Sequence, residues 1–331
     1  MCREYACGRK ASPAMTTAKK KALAIDLGGT HASCAVVEDK TILAQETLHA
    51  DPRQGLKILL PLLESTLKSL LRTADLSARD CVGLAFGFCG VVDFKSSRLL
   101  ATNLKYDDAP KLDISGWSER VFGLPLRIEN DARMTLLGEW YAGSAQGYSD
   151  IVTMTLGTGI GGAAMIGGHL IRGKHSQAGC LGGHIPVQIQ GRPCTCGNVG
   201  CAEAEAAGWS LPDIVKEWPG FGQSALSKNG HLDFEALFGA AAAGDSVAQQ
   251  VQMRCLQVWA ANAVGLIHSF DPEILIIGGG VMNSAEIVVP FVQEHVSRHA
   301  WTPWGKVQVR PAKLGSSAAL LGAIPLLTEP L

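Results

Sequence analysis

One histidine and three cysteines are spaced as a metal-binding set: His184, then Cys194, Cys196 and Cys201 within His184-x9-Cys194-Thr195-Cys196-Gly197-Asn198-Val199-Gly200-Cys201. An imidazole with three thiolates suits tetrahedral zinc, and four protein ligands close the coordination sphere, so such a zinc is structural. Gly197 and Gly200 let the backbone fold tightly around an ion. The competing readings are a loop of free cysteines and a redox pair, and the Cys-x-Cys spacing lacks the two intervening residues of thioredoxin-like motifs.

Three glycine turns suggest a phosphate-bearing ligand. Asp26-Leu27-Gly28-Gly29-Thr30 joins two β-rich runs. Its glycines let backbone N–H groups approach a polyanion, Thr30 adds a hydroxyl, and Asp26 at a strand end can hold hydrated Mg²⁺. Gly-Gly is also plain hairpin chemistry. Gly157-Thr158-Gly159-Ile160-Gly161-Gly162 carries more glycine than a hairpin needs, which favours phosphate contact. Gly278-Gly279-Gly280 follows an apolar run and can admit a flat base or ribose against the backbone. Asn130-Asp131 opens a helix. Both residue types cap helices, and a carboxylate there can equally act as general base toward a substrate hydroxyl.

The elements around these residues alternate in type. Residues 22–48 hold three β-rich runs. A helix fits Gln54 to Leu71, strands fit Val82 to Gly87 and Leu126 to Ile128, and a helix from Asp131 carries Met134, Leu137 and Trp140 at helical spacing. The opening pattern then returns: strand Ile151 to Leu156, glycine turn 157–162, strand Ala163 to Ile166. The longest helix spans Asp245 to Phe270, with Val247, Val251, Cys255, Val258, Leu266 and Phe270 along one face. A strand Ile274 to Ile277 leads to the third glycine turn, a further helix starts at Ser284, and a last helix covers Ser316 to Leu327. Alternating strands and helices imply an α/β architecture, and the repeated strand–turn–strand unit implies two related halves gripping one ligand.

At 331 residues the chain has room for two domains. A net charge of −1 argues against nucleic acid as principal partner. No apolar run approaches the ~18 residues of a membrane helix. Residues 1–20 lack the apolar core of a signal peptide and read as a disordered tail. The ten cysteines cluster at the metal motif or scatter through apolar segments, which suggests metal binding in a reducing compartment, the cytoplasm, rather than a disulfide framework.

The succession DLGGT, GFCGVVD, END, LGTGIGG, the His/Cys motif and IIGGGV resembles the ROK family (repressors, open reading frames, kinases) over residues 22–327. The resemblance implies the two-lobed actin, hexokinase and Hsp70 type of α/β fold, a ribonuclease H-like duplication. The small lobe would be 21–130 plus 313–331, and the large lobe 131–312 with the zinc loop at 184–203. It implies an ATP-dependent sugar kinase acting on a hexose hydroxyl, that of the 6-position, often as a homo-oligomer. Asp131 would be the general base. Asp26, Gly28, Gly29 and Thr30 would hold the terminal phosphates with Mg²⁺, Thr158, Gly159 and Gly161 would hold phosphate from the other lobe, and Gly278, Gly279 and Gly280 would meet adenosine. The sugar would lie against Gly90, Asn103, Asn130, Asp131, His184 and Glu203, with His184 also a zinc ligand beside Cys194, Cys196 and Cys201.

The chain departs from the family where a Glu usually stands three residues before the metal histidine. Leu181, or Cys180 if the loop shifts, takes that place, and Cys89 replaces the family's turn proline. These changes bear on which sugar is bound, an amino sugar or cyclitol included, and not on phosphoryl transfer. A ROK repressor would need a winged helix-turn-helix of about 60–80 residues ahead of Asp26, where 25 residues without a helical pattern precede it. A sugar-binding relative without kinase activity is the other alternative.

Overall fold

The computed structural model describes residues 19–102 and 105–329, so the expected tail as far as residue 18, and Asn103, lie outside the described residues. The three opening runs form β1 (Lys21–Leu27), β2 (His31–Glu38) and β3 (Thr41–His49), paired antiparallel. Side chains of β1 alternate between two cores: Leu23, Ile25 and Leu27 face one, Ala22 and Ala24 the other, as the period of two requires. Helix α1 (Leu56–Thr73) begins two residues after the expected Gln54. A residue far along the chain sets that start: the Asp108 carboxylate accepts from the N–H of Leu56 at 2.7 Å and of Lys57 at 2.8 Å, satisfying first-turn donors. Strand β4 (Leu84–Phe88), the hairpin β5 (Gly90–Asp93) and β6 (Arg98–Thr102), helix α2 (Ile114–Phe122) and strand β7 (Leu126–Asn130) follow. The first sheet has the order β3-β2-β1-β4-β7, with β1, β4 and β7 parallel.

After α3 (Asp131–Ala142) the same plan repeats. Strands β8 (Ile151–Leu156), β9 (Ile160–Ile166) and β10 (His169–Leu170) pair antiparallel. Strands β11 (Ile274–Gly278) and β12 (Gln308–Pro311) then add parallel to β8. The order β10-β9-β8-β11-β12 reproduces the first sheet strand for strand. The repeat that shows in the sequence as one strand–turn–strand unit is thus a duplication of the whole sheet. One expectation changes in detail. The second strand begins at Ile160, not Ala163, so Gly161 and Gly162 are strand residues paired with Thr155 and Met154. A side chain on Gly162 would press on the backbone of Gly182, so packing accounts for part of the glycine excess.

Helices α4 (Ala202–Ala206), α5 (Leu211–Glu217) and α6 (Phe234–Ala242) pack with the long α7 (Ser246–Phe270) over the second sheet. The indole of the buried Trp259 on α7 donates to the Ala206 carbonyl at 2.9 Å and so fastens α4. Helix α8 (Ala285–His299) covers β11 and β12. The expected single C-terminal helix is two, α9 (Ala318–Leu321) and α10 (Ala323–Thr328). Pro325 lacks an N–H for the Leu321 carbonyl and its ring crowds that carbonyl, which breaks the helix. Helices α3, α9 and α10 lie between the two sheets, in a core that takes Ala24 and Ala85 from the first sheet, Ile151 and Ile276 from the second, and Met134 and Ala319 from the helices. At that seam a methyl group on Gly138 would stand 1.8 Å from the Ala318 carbonyl oxygen, so α3 and α9 touch through glycine.

Candidate active site

The duplicated sheets place two equivalent β-turn-β loops face to face. Gly28 and Gly29 after β1, and Gly157, Thr158 and Gly159 after β8, border one cleft of about 610 Å³ that also receives Asp26 and Asp131. Asp26 is the last residue but one of β1 and Asp131 begins α3, the helix between the sheets, so both carboxylates reach the cleft from elements fixed by the seam core.

The sequence leaves helix capping and base catalysis open for Asn130-Asp131, and the structure divides the tasks. Asn130 is the cap: its Oδ1 accepts from the N–H of Ala132 at 3.1 Å and of Arg133 at 3.3 Å. Its Nδ2 donates to the Gly90 carbonyl at 3.2 Å and to Asp131 Oδ1 at 2.9 Å. The Asp131 carboxylate lines the cleft, where burial pushes its pKa up, while the Ala132 N–H and the Lys105 ammonium pull it down. Burial, then the charge of Asp131, pushes Asp26 up to about 7. Burial disfavours the charged form of a carboxyl, and a second carboxylate in the same cleft adds to that.

A buried ion network supports this floor. Glu129 Oε1 accepts from Arg133 Nη1 at 3.2 Å and from the Asn130 N–H at 2.8 Å, and its Oε2 accepts from Arg172 Nε at 2.6 Å. Arg172 grips Glu329 bidentately at 2.9 and 2.7 Å. Arg133 Nη2 donates to the carbonyls of Ser176 at 3.1 Å and Ala178 at 2.6 Å. Breaking a pair among charges so buried is costly, and here the pairing fastens the loop that precedes Cys180. Cys180 lines the cleft, whereas Leu181 is 42% exposed and does not. Of the two candidates for the place of the absent Glu, the structure therefore puts Cys180 on the wall.

The metal motif comes together as a cluster. The ligand atoms of His184, Cys194, Cys196 and Cys201 all lie within 4.8 Å of one another. Cys196 Sγ and Cys201 Sγ are 3.7 Å apart, and Cys194 Sγ is 3.4 Å from His184 Nδ1. Zn–S bonds of about 2.3 Å in a tetrahedron set sulfur atoms about 3.7 Å apart, so the donor set fits zinc in type and in spacing. His184 also borders the cleft.

Glu203, at the start of α4, is more than a helix-start carboxylate. Its Oε2 accepts from the N–H of Ile160 at 2.8 Å and its Oε1 from the Trp209 indole at 3.4 Å. A methyl group on Gly159 would stand 2.7 Å from Oε2, so glycine at 159 makes room for this clasp. The cleft thus gathers Asp26, Gly28, Gly29, Asp131, Thr158, Gly159, Gly161, His184 and Glu203. Gly90 and the buried Asn130 stand behind its wall, and Cys89 faces it instead. Thr30 shares a hydrogen bond with His31 Nδ1 at 2.9 Å outside it. Gly278, Gly279 and Gly280 lie beside the second turn rather than in the cleft: Gly279, at φ +91°, passes so close to the Leu156 carbonyl that a side chain would collide with it. Sequence reasoning passed over Lys105, Thr135, Thr155 and Trp209, which also line the cleft. None belongs to a motif, and only the fold brings them there.

The profile of the ROK family matches residues 22–329. The glucokinase of Thermotoga maritima is 30% identical, with 94% of this chain and 98% of that protein aligned. Among solved structures, the ROK family glucokinase of Streptomyces griseus in complex with glucose and AMPPNP has a TM-score of 0.77 at 29% identity, covering 92% of this chain and 98% of its own. The ROK hexokinase of Thermus thermophilus has a TM-score of 0.74 at 28% identity, covering 92% and 97%. The sheets described above are the two-lobed actin and hexokinase type of α/β fold, and the chain that builds them belongs to the ROK family.

Proposed function

We propose that this chain is a sugar kinase that transfers the terminal phosphoryl group of ATP to a hydroxyl of a hexose or related sugar, that of the 6-position, with Asp131 as general base. The observation that carries the reading is the placement of the Asp131 carboxylate in a cleft bordered by both glycine turns. Residues 21–130 with 313–331 serve as one lobe and 131–312 as the other, closing on the sugar and excluding water from the reaction.

The Gly28 N–H is taken up by the His31 carbonyl and the Gly157 N–H by the Gly159 carbonyl. The amides of Gly29, Thr158 and Gly159 are then the ones offered to phosphate oxygens. Asp26, a cleft carboxylate whose pKa is pushed up by burial and by the charge of Asp131, is placed for the Mg²⁺ that accompanies ATP. Asp26 would hold that ion, which would supply positive charge to offset that of the phosphates. Asp131 accepts the proton of the attacking hydroxyl, and a base whose pKa is raised from the ordinary carboxylate range is better matched to that task. His184, held through Nδ1 on the metal side, offers its other ring nitrogen to a sugar hydroxyl, so a zinc that is structural in coordination shapes the sugar pocket.

A coupled assay of ADP release from ATP, run over hexoses, amino sugars and cyclitols, tests this reading. Sugar-dependent turnover with at least one of them is expected. Sugar binding without turnover across the whole panel would instead establish a non-catalytic sugar-binding member of the family.

A further inference from the structure

We propose that Lys105 is a further catalytic residue, its ammonium donating hydrogen bonds to the phosphoryl group while that group passes from ATP to the sugar. The inference rests on the kinase reading above. Among the described residues, Lys105 is the one lysine or arginine that borders the cleft. Its segment is tied down on both sides. Thr102 Oγ1 donates to Asp107 at 2.7 Å, and Asp108 caps α1. The buried Tyr106 donates its N–H to the Pro52 carbonyl at 3.0 Å and its hydroxyl to the Gly28 carbonyl at 3.3 Å. This last bond fastens the residue next to Lys105 directly to the first phosphate turn.

The ammonium stands over that turn. A methyl group on Gly29 would lie 3.2 Å from Nζ and 3.3 Å from Cε, so any side chain at 29 would crowd the lysine. Asp131 borders the same cleft, and its carboxyl feels the lysine's charge. In-line transfer requires the moving phosphorus to lie between the donor-phosphate turn and the hydroxyl held by the base, and Lys105 stands against that turn in the cleft that also holds the base. In the step itself the hydroxyl oxygen bonds to the terminal phosphorus and the bond from phosphorus to the bridging oxygen breaks. The hydroxyl proton goes to Asp131 and the electron pair leaves with ADP. Lys105 keeps its proton throughout and stabilises the charge on the equatorial oxygens, the kind of preorganised donor that acts most strongly in a water-poor site.

A lysine that only neutralised Asp131 in the empty cleft would give a different experimental pattern. The test compares Lys105→Met and Lys105→Arg with wild type in three measurements: steady-state kinetics with the best sugar, AMPPNP affinity, and affinity for ADP with aluminium fluoride and sugar, a mimic of the transferring phosphoryl group. Lys105→Met is expected to keep its metal content and melting temperature and to lose about 10²–10³ in kcat. Its sugar KM and AMPPNP affinity should stay within about threefold. Affinity for the fluoride complex should fall in step with kcat, and Lys105→Arg should recover part of both. A kcat for Lys105→Met within about tenfold of an active wild type, or an equal loss of AMPPNP and fluoride-complex affinity, overturns the proposal while leaving the kinase reading intact. A wild type that phosphorylates no sugar in the panel removes both.

Discussion

The Glu203 carboxylate accepts a hydrogen bond from the Ile160 N–H at 2.8 Å, joining the first turn of α4 to the glycine turn of the second sheet. Glu203 lies two residues beyond Cys201 of the His/Cys cluster, so the loop of that cluster and the expected phosphate turn form one mechanical unit. Metal binding is folding energy for such a loop. Purified protein should carry about one zinc per chain, and removing it with a chelator should lower Tm and weaken AMPPNP as well as sugar. Loss of sugar affinity with AMPPNP binding intact, measured by calorimetry on the same sample, would show that the clasp transmits nothing. Absence of zinc from protein purified without added metal would remove the metal assignment itself.

Asp131→Asn separates capping from catalysis. Because Asn130 makes the cap, the substitution should leave the fold and ATP binding unchanged while kcat falls about 10²–10⁴. In wild type, kcat/KM should rise with pH through an acid limb set above the ordinary carboxylate range, since Asp131 is held up by burial and must be ionised to accept a proton. A variant whose kcat stays within about tenfold of wild type would reduce Asp131 to a structural residue.

Asp26 should leave a signature in stability. Its carboxyl holds a proton up to about pH 7 in the folded chain against an ordinary value of 3.8. Between those values the folded state binds more protons than the unfolded one, so stability falls as pH rises through that window and levels off above it. Asp26→Asn removes this contribution. Without nucleotide the variant should match wild type near pH 4 and exceed it at pH 8, by up to about 4 kcal/mol. Thermal denaturation across pH checks this, and parallel curves for the two proteins would contradict it.

Sugar preference is expected to turn on Cys180. The family resemblance implies a Glu three residues before His184, and a charged acceptor contributes about 1.5–3 kcal/mol to a hydroxyl bond. Here the wall is a thiol that donates to the Gln177 carbonyl at 3.4 Å and that burial keeps protonated. Glucose should therefore be a poor substrate beside a sugar that differs near C1 or C2, because a site with no partner for a hydroxyl discriminates against it. Steady-state kinetics across sugars decides the matter. A kcat/KM for glucose above about 10⁵ M⁻¹s⁻¹ that also exceeds every other sugar would refute the expectation.

The metal set, the glycine turns, the carboxylates Asp26 and Asp131 and most strands were legible in the residues themselves. Each is a short-range pattern: ligand spacing, turn chemistry, or periodicity of two or 3.6. The second sheet's likeness to the first was visible only at its opening, because β11 and β12 join β8 from more than a hundred residues away. Tertiary structure decided what depends on distant chain segments meeting. It put Cys180 rather than Leu181 on the wall, because Arg133 and Glu129 fasten the loop before it. It began α1 at Leu56 because Asp108 caps it. It turned Glu203 onto Ile160, Asn130 onto the helix N-terminus, and Lys105 toward Gly29. Such contacts carry no local signature, since their energy comes from burial and electrostatics between elements that meet only after folding.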